Sequence, residues 1–298
     1  VTKGFAFKAS ELSIDDWSST FNLEMLNPAS ITMQRTIAKL QEEGKDYDID
    51  TIIESIRKDK DASNASVAAA INLFEAAKTW GIFVKRGEKG TSINELVEGG
   101  KTTVMDLSTY SSTAAFNVRA LVIGLITKKL FLERSMNRKK EEIEAVNRGQ
   151  EYLNYKEKRD MPLVWLLIDE LHEFLPEKGK TAATDALIQL LREGRQPGIS
   201  LAGATQQPGK VHSDVWTQSD IVIAHRVTAK PDVMALSTIM QSYLSEDITS
   251  FMNTLPNSKG SAIILDDNSE RIYPIRTRAR FTWHGGESPT SVKIKKRV

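Results

Sequence analysis

The chain has 298 residues, 40 Lys and Arg against 39 Asp and Glu, and no cysteine. A net charge of +1 gives no overall pull towards a polyanion, so any nucleic-acid surface must be local, such as a loop or the rim of a channel. The missing thiols exclude disulfides and thiolate metal sites, and four scattered histidines argue against a zinc site.

The chain opens at Val1 inside a strand-like segment, without an initiator Met, and reads as a fragment of a longer protein. No signal-peptide pattern is visible at its start. Residues 1–22 are short and mixed, with turn signals at Ser10 and Ser13. From Asn27-Pro28 to about Trp80 the pattern is helical. Ile31, Ile37 and Leu40 mark one amphipathic stretch, Ile49, Ile52, Ile53 and Ile56 a second, and Val67, Ile71, Leu73, Phe74 and Ala77 a third. Lys58 to Ser63 is a polar break, and the block reads as a small all-helical insert.

After Gly81 short apolar runs alternate with helices. Thr102–Leu107 reads as a strand, and a helix follows from the Ser111-Ser112-Thr113 cluster through Leu132. Its best apolar run, Leu121 to Ile126, meets Lys128 and Lys129, well short of the roughly 18–20 residues of a membrane span. The reading is of a soluble, cytoplasmic protein. Glu133 to Asp160 is crowded with charges of both signs, which suits a solvated helix extension better than a DNA-contacting arm.

Leu163–Ile168 is a wholly apolar strand. Thr184–Arg192 is a helix stopped by Gly194, and Ile199–Thr205 is a second buried strand. Ile221–Val227, Ala262–Leu265 and Ile272–Ile275 complete the set. Strands separated by helices argue for an α/β fold with a mostly parallel sheet covered on both faces.

The chemistry sits where Leu163–Ile168 runs into Asp169-Glu170. An apolar strand that ends in two acids presents them at the C-terminal edge of the sheet, where open α/β sheets bind ligands. Asp169 would hold Mg²⁺ through a water, and Glu170 would polarise a water attacking a γ-phosphate. The second buried strand ends in Thr205-Gln206-Gln207-Pro208, which places Thr205 or Gln206 as a polar sensor of that phosphate. Between the two strands, Arg192 and Arg195 flank the end of a helix. Either could reach a neighbouring subunit's nucleotide, although an Arg there also suits the helix macrodipole.

LLIDELHEFLP, LLREGRQPGISLAGATQQP and SDIVIAHRVTAKPDVMALS together resemble successive motifs of the HerA–FtsK superfamily, nearest to its archaeal HerA-type DNA translocases. The closing YPIRTRARFTWHGGESP, with Arg276, Arg278, Arg280 and His284-Gly285-Gly286, resembles the C-terminal segment of that branch. The resemblance covers about residues 100–287, and more loosely the helical block. It implies a RecA-like P-loop NTPase sheet with an inserted helical subdomain, and a hexameric ring that hydrolyses ATP to move duplex DNA. It further implies a role in DNA-end processing and repair with a NurA-type nuclease as partner. Position by position, Asp169 and Glu170 match the Walker B acids, Gln206 the sensor, and Arg195, or else Arg192, the Arg offered in trans. Arg226, after His225, falls where the family contacts nucleotide or neighbour.

The implied division is residues 1–26 as part of the core, 27–82 as the insert, 83–285 as the ATPase core, and 286–298 as a tail. Lys178, Lys180 and Lys210, on loops after the two strands, are candidate DNA contacts, with a plain solvated loop as the alternative. Pore loops of this kind touch phosphates without reading sequence.

The phosphate-binding loop is missing. Gly100-Lys101-Thr102 has Glu95 where the motif needs its first Gly, and Gly179-Lys180-Thr181 has Phe174 there. Both are decoys, and the loop is expected upstream of Val1, so the chain alone should not bind ATP tightly. His172-Glu173 begins a metalloprotease-like string but has Pro176 where the second His belongs. His172 instead orients Glu170 or faces the DNA side. Asp169-Glu170-Leu171-His172 also fits the DExH box of two-lobed helicases, but too little chain follows Gln206 for a second lobe. A conjugation-type or DNA-packaging pump shares the same motor, and a catalytically dead scaffold relative is opposed by the intact acid pair.

Overall fold

The computed structural model describes residues 4–24, 26–110, 113–147, 160–227, 229–240, 252, 254–256, 258, 260–269 and 271–282. They fall into two compact units, Val1–Gln218 and Ser219–Val298. The described elements mix helices and strands, in keeping with an α/β fold.

The first unit opens with α1 (Ile14–Thr20), where Ser13 accepts from the Asp16 amide and the Asp16 side chain accepts from the Ser13 amide. This reciprocal cap satisfies two amides that a helix start leaves open. The three amphipathic stretches are α2 (Pro28–Glu42), α3 (Ile49–Arg57) and α4 (Asn64–Lys78). Each starts on a polar cap, Asn27, Asp48 and Ser63 respectively, and Pro28 takes the first helical position, where no amide is needed. Their apolar stripes are buried at Ile37 and Leu40, at Ile49, Ile52, Ile53 and Ile56, and at Phe74 and Ala77. Ile31, however, is 47% exposed and Met33 takes its place on the packed face, while Val67, Ile71 and Leu73 are only partly buried.

These stripes meet around Trp17, which is fully buried and packs against Phe21, Phe74 and Phe83 with ring centroids 5.0–5.5 Å apart. Phe7 bonds to the segment after Gly81, donating its amide to Ile82 and accepting from Val84, at 2.7 and 2.9 Å. The same continuous core takes in Leu121, Val122 and Leu125 and reaches Leu190 and Ile199. The helical block therefore shares its core with the elements that carry the site.

A short α5 (Ile93–Leu96) precedes the segment Thr102–Leu107, which is not a strand. Val104 is 84% exposed there, and Thr103 turns its hydroxyl onto the Leu96 carbonyl instead. β-branched residues supply strand propensity, but a strand exists only where another strand completes its hydrogen bonds. Helix α6 (Thr113–Asn147) extends well past Leu132, so the charged stretch from Glu133 begins as helix. Arg138 pairs with Glu141 and Glu142 along it. The proposed cap at Ser111-Ser112 and residues 148–159 lie outside the described residues.

Arg134 of α6 is wholly buried. Its guanidinium donates to the carbonyls of Pro197 at 2.8 Å and Met161 at 3.0 Å, and pairs with Glu141 at 3.1 Å. Met161 and Pro197 precede β1 (Val164–Ile168) and β2 (Ile199–Gly203), so one side chain fixes the entry of both strands. These strands pair in parallel, Val164 with Ile199 through Ile168 with Gly203. Helix α7 (Thr184–Glu193) connects them. It ends at Gly194, where a Cβ would lie 2.4 Å from the Leu190 carbonyl oxygen and 2.9 Å from that of Ile199, so only glycine lets the helix end abut β2.

Sequence reading expects both faces of this sheet to be covered. Within the first unit β1 alternates: Val164, Leu166 and Ile168 pack inward, while Leu163, Trp165 and Leu167 are 53%, 68% and 71% exposed. A short α8 (Ser213–Thr217) closes the unit.

The second unit holds β3 (Ile221–His225), α9 (Lys230–Met240), β4 (Ser261–Asp266) and β5 (Arg271–Arg276). The strand order is β3-β4-β5, and both pairings are antiparallel, unlike the parallel pair of the first unit. Antiparallel neighbours need only a short turn, and Asp266 with its bonds to Asn268 and Ser269 supplies one between β4 and β5. Pro274 is tolerated because β5 is an edge strand. His284-Gly285-Gly286 and the tail 286–298 lie outside the described residues.

Candidate functional site

The acids emerge where β1 ends. Ile168 is the last buried strand residue, and the ladder continues beyond it, with Ala204 donating to the Ile168 carbonyl and Leu171 to the Ala204 carbonyl. Between those bonds the backbone reverses at Glu170, which sits at φ 50° and ψ 48°. A left-handed conformation costs a residue with a Cβ roughly 1–3 kcal/mol and persists only where its surroundings enforce it. Here the enforcement is Leu171, buried directly afterwards against Gly203, where a Cβ would come within 2.4 Å of the Leu171 side chain.

The turn sends Asp169 and Glu170 in different directions. Asp169 is exposed, and one of its oxygens accepts only from the Glu170 amide. Glu170 is half-buried, and its Oε1 accepts from Gln206 Nε2 at 2.5 Å. Its Oε2 is buried, has no hydrogen-bond partner among the described residues, and lies 3.6 Å from His172 Nδ1. An unsatisfied buried carboxylate oxygen is costly, so this atom is poised to accept a proton donor.

His172 fills the space between the two strand ends. Its Nδ1 lies 2.9 Å from Thr205 Oγ1, and its Nε2 lies 3.3 Å from Gln207 Nε2. Thr205 Oγ1 also accepts from the Gln207 amide at 3.1 Å. Because an amide NH₂ only donates, His172 Nε2 accepts, and this network assigns the imidazole proton to Nδ1.

Of the sequence-predicted residues, Asp169, Glu170, Thr205 and Gln206 converge on this one sheet edge. Arg192 is engaged within its own chain, where Nε and Nη2 both reach Asp214 Oδ2 at 2.8 and 2.6 Å. Arg195 is exposed and makes no side-chain hydrogen bond or ion pair among the described residues. Arg226 is exposed in the second unit, after His225, whose ring bonds to the Ser261 carbonyl.

The loops after β1 and β2 are tied together. Glu177 donates to the Lys210 carbonyl at 2.8 Å, His212 donates to that of Leu175 at 2.9 Å, and Pro176 bridges Val211. Lys178 and Lys210 are exposed on this loop pair. Lys180 is paired with Asp185 at 2.8 Å, and that hydrogen bond raises its pKa.

Both phosphate-loop decoys are dismissed by their surroundings. Lys101 pairs with Glu98 in a turn that opens neither strand nor helix, and Lys180 is taken by Asp185. Among the described residues no group of three or more His, Asp or Glu is arranged to cage a metal. The single exposed carboxylate of Asp169 fits instead a cation such as Mg²⁺, which keeps its waters and takes one or two carboxylates plus phosphate oxygens. Sequence reasoning missed Gln207, Asp214 and Arg134. Only the doublet Gln206-Gln207 carried a visible signal.

No protein-family model matches the sequence. The chain is 26% identical over 212 residues to the DNA double-strand break repair helicase HerA of Pyrococcus furiosus, covering 64% of this chain and 37% of that protein. It is 28% identical over 184 residues to the probable DNA double-strand break repair helicase HerA of Methanocaldococcus jannaschii, covering 57% of this chain and 34% of that protein. The chain thus spans about a third of the length of these relatives. VirB4 of Thermoanaerobacter pseudethanolicus superimposes with a TM-score of 0.57 over 90% of this chain and 69% of that chain, at 12% identity, a likeness of fold. The resemblance to HerA-type proteins seen in the motifs is thus matched by likeness along more than half of the chain, and the α/β fold by a solved structure. No helix among the described residues is long and apolar enough to cross a membrane.

Proposed function

We propose that this chain carries the hydrolytic face of an ATP-driven, DNA-translocating motor of the HerA type. The observation that carries the reading is Glu170. It is held in a left-handed turn at the end of β1, with one oxygen bound by Gln206 from the end of the adjacent parallel strand. A general base must be fixed relative to the phosphate it serves, and two neighbouring strand ends provide that.

In this reading Glu170 polarises the attacking water, and Gln206 with Thr205 senses the γ-phosphate. Asp169 would hold Mg²⁺ through a water. When bound, that ion would neutralise charge on the β- and γ-phosphate oxygens. Arg195, without a side-chain partner among the described residues, reaches the nucleotide of a neighbouring subunit in a homo-oligomeric ring, taken as a hexamer, while Arg192 braces α7 against α8. Arg226 serves nucleotide or neighbour contact. Lys178, Lys180 and Lys210 grip the backbone of double-stranded DNA, with a NurA-type nuclease as partner in end processing and a cytoplasmic location. Residues 27–82 are the helical insert, and the loop that cradles the phosphates is supplied by sequence other than these residues.

The test is Glu170→Gln in the full-length protein. Turnover should fall at least about 100-fold, the low end for loss of a general base, while ATP binding is kept. Hydrolysis at the wild-type rate would refute the assignment.

A further inference from the structure

We propose that His172 is a positioning residue that switches the free oxygen of Glu170 and links it to the paired basic loops. The inference rests on the reading of Glu170 as the base. It deepens that reading by naming what sets the state of the base.

His172 cannot drift. It lies in the single helical turn Leu171–Glu173, anchored by the buried Leu171 on one side and by an ion pair between Glu173 and Arg119 of α6 on the other. Its side chain is only 13% exposed. What it can do is turn its ring. Nδ1 donates to Thr205 Oγ1 at 2.9 Å, and Glu170 Oε2 waits 3.6 Å from the same nitrogen with no other partner among the described residues. A small ring rotation exchanges one acceptor for the other.

The two arrangements differ chemically. With the proton on Thr205, Glu170 Oε2 is free to accept from a water. With the proton on Glu170, that oxygen is occupied, and Oε1 is already taken by Gln206. The carboxylate then has both oxygens engaged by protein donors and is a poor base. No proton leaves the imidazole in either arrangement; only the acceptor changes.

The choice between them is set by Thr205 and Gln207, which hold the far side of the ring. Both start the segment that leads to Lys210 and is bonded to the Leu175–Glu177 backbone. A polyanion drawn to Lys178 and Lys210 pulls on the segment that positions the imidazole. The device thus connects phosphate-backbone contact at the loops to the state of the base, without any contact between the two.

The experiment measures ATP turnover of the full-length protein with and without a blunt duplex oligonucleotide. His172→Ala should abolish stimulation by duplex and raise turnover without duplex at least about twofold, because Glu170 Oε2 is then never occupied, while the KM for ATP stays within about twofold. Thr205→Val, which removes the alternative acceptor, should abolish stimulation as well, and Thr205→Ser should restore it. Stimulation that persists in both His172→Ala and Thr205→Val overturns the proposal, as does a loss of stimulation in Thr205→Val that Thr205→Ser does not repair. If His172→Ala does not fold, the Thr205 pair decides alone. Failure of the underlying reading is distinct, because Glu170→Gln would then hydrolyse ATP at the wild-type rate.

Discussion

Gln206 Nε2 and Glu170 Oε1 are joined by a 2.5 Å hydrogen bond that links the ends of two parallel strands. It makes the orientation of the acid depend on the residue after β2, and the consequence can be measured. Gln206→Ala should lower kcat by about tenfold or more, since it removes the contact that orients the proposed base, with a smaller change in the KM for ATP from the lost γ-phosphate sensor. Gln206→Glu should be worse, because a second carboxylate would face Glu170. Steady-state kinetics on the full-length protein would decide, and equal activity of the two variants would contradict the geometry.

Arg192 and Arg195 separate into two roles that mixing experiments resolve. Arg192 is 59% exposed and bound to Asp214, so Arg192→Ala should cost no more than about 1 kcal/mol of stability. Arg195→Ala should leave stability unchanged and remove turnover. Combining Arg195→Ala subunits with Glu170→Gln subunits should restore some ATPase activity, because each supplies what its neighbour lacks. Absence of rescue would place Arg195 outside the neighbouring site.

Arg134 joins α6 to the entries of both strands through buried bonds to Pro197, Met161 and Glu141. Arg134→Met fills similar space but leaves two carbonyls unbonded and Glu141 without its closest cation. The expected loss is roughly 3–5 kcal/mol, the range for breaking a buried pair from one side. Urea denaturation of residues 1–298 measures it, and a midpoint within error of wild type would show that the staple is dispensable.

Burial raises the pKa of Glu141, but Arg134 and then Arg138 more than offset it, so the carboxyl ends below its usual value. The unfolded chain therefore binds the proton more readily than the folded one. The resulting stability is present above about pH 4.3, the value for an unperturbed glutamate, and is lost as pH falls through the lowered folded value. Glu141→Gln should be less stable than wild type at neutral pH, with the difference shrinking below about pH 4. A difference independent of pH would mean that the charge of Glu141 contributes nothing.

The three stripes of isoleucine, phenylalanine and alanine between Ala29 and Ala77 were legible because burial on one helix face repeats with the helix period, and their caps are local side-chain bonds. The acids at Asp169-Glu170 were legible for a similar reason, as an apolar run ending in charge marks a strand edge. Thr102–Leu107 misled because its residues suit a strand while no partner strand among the described residues meets them. The antiparallel pairing of β4 with β3 and β5 was equally hidden, since pairing direction is set by neighbours in space.

By itself the sequence determined the placement of the candidate residues: which acids end a strand, which polar residues end the next, and which arginines lie between. These follow from composition and period over a few residues. Only the tertiary structure decided how they act on one another. It brought Gln206 to Glu170, placed His172 between Thr205 and a carboxylate oxygen of Glu170, and gave Arg192 to Asp214 while leaving Arg195 without a partner among the described residues. Those contacts join residues up to 36 positions apart. Parallel pairing of β1 with β2 and the left-handed turn at Glu170 make them, and both arise from packing that no local pattern encodes.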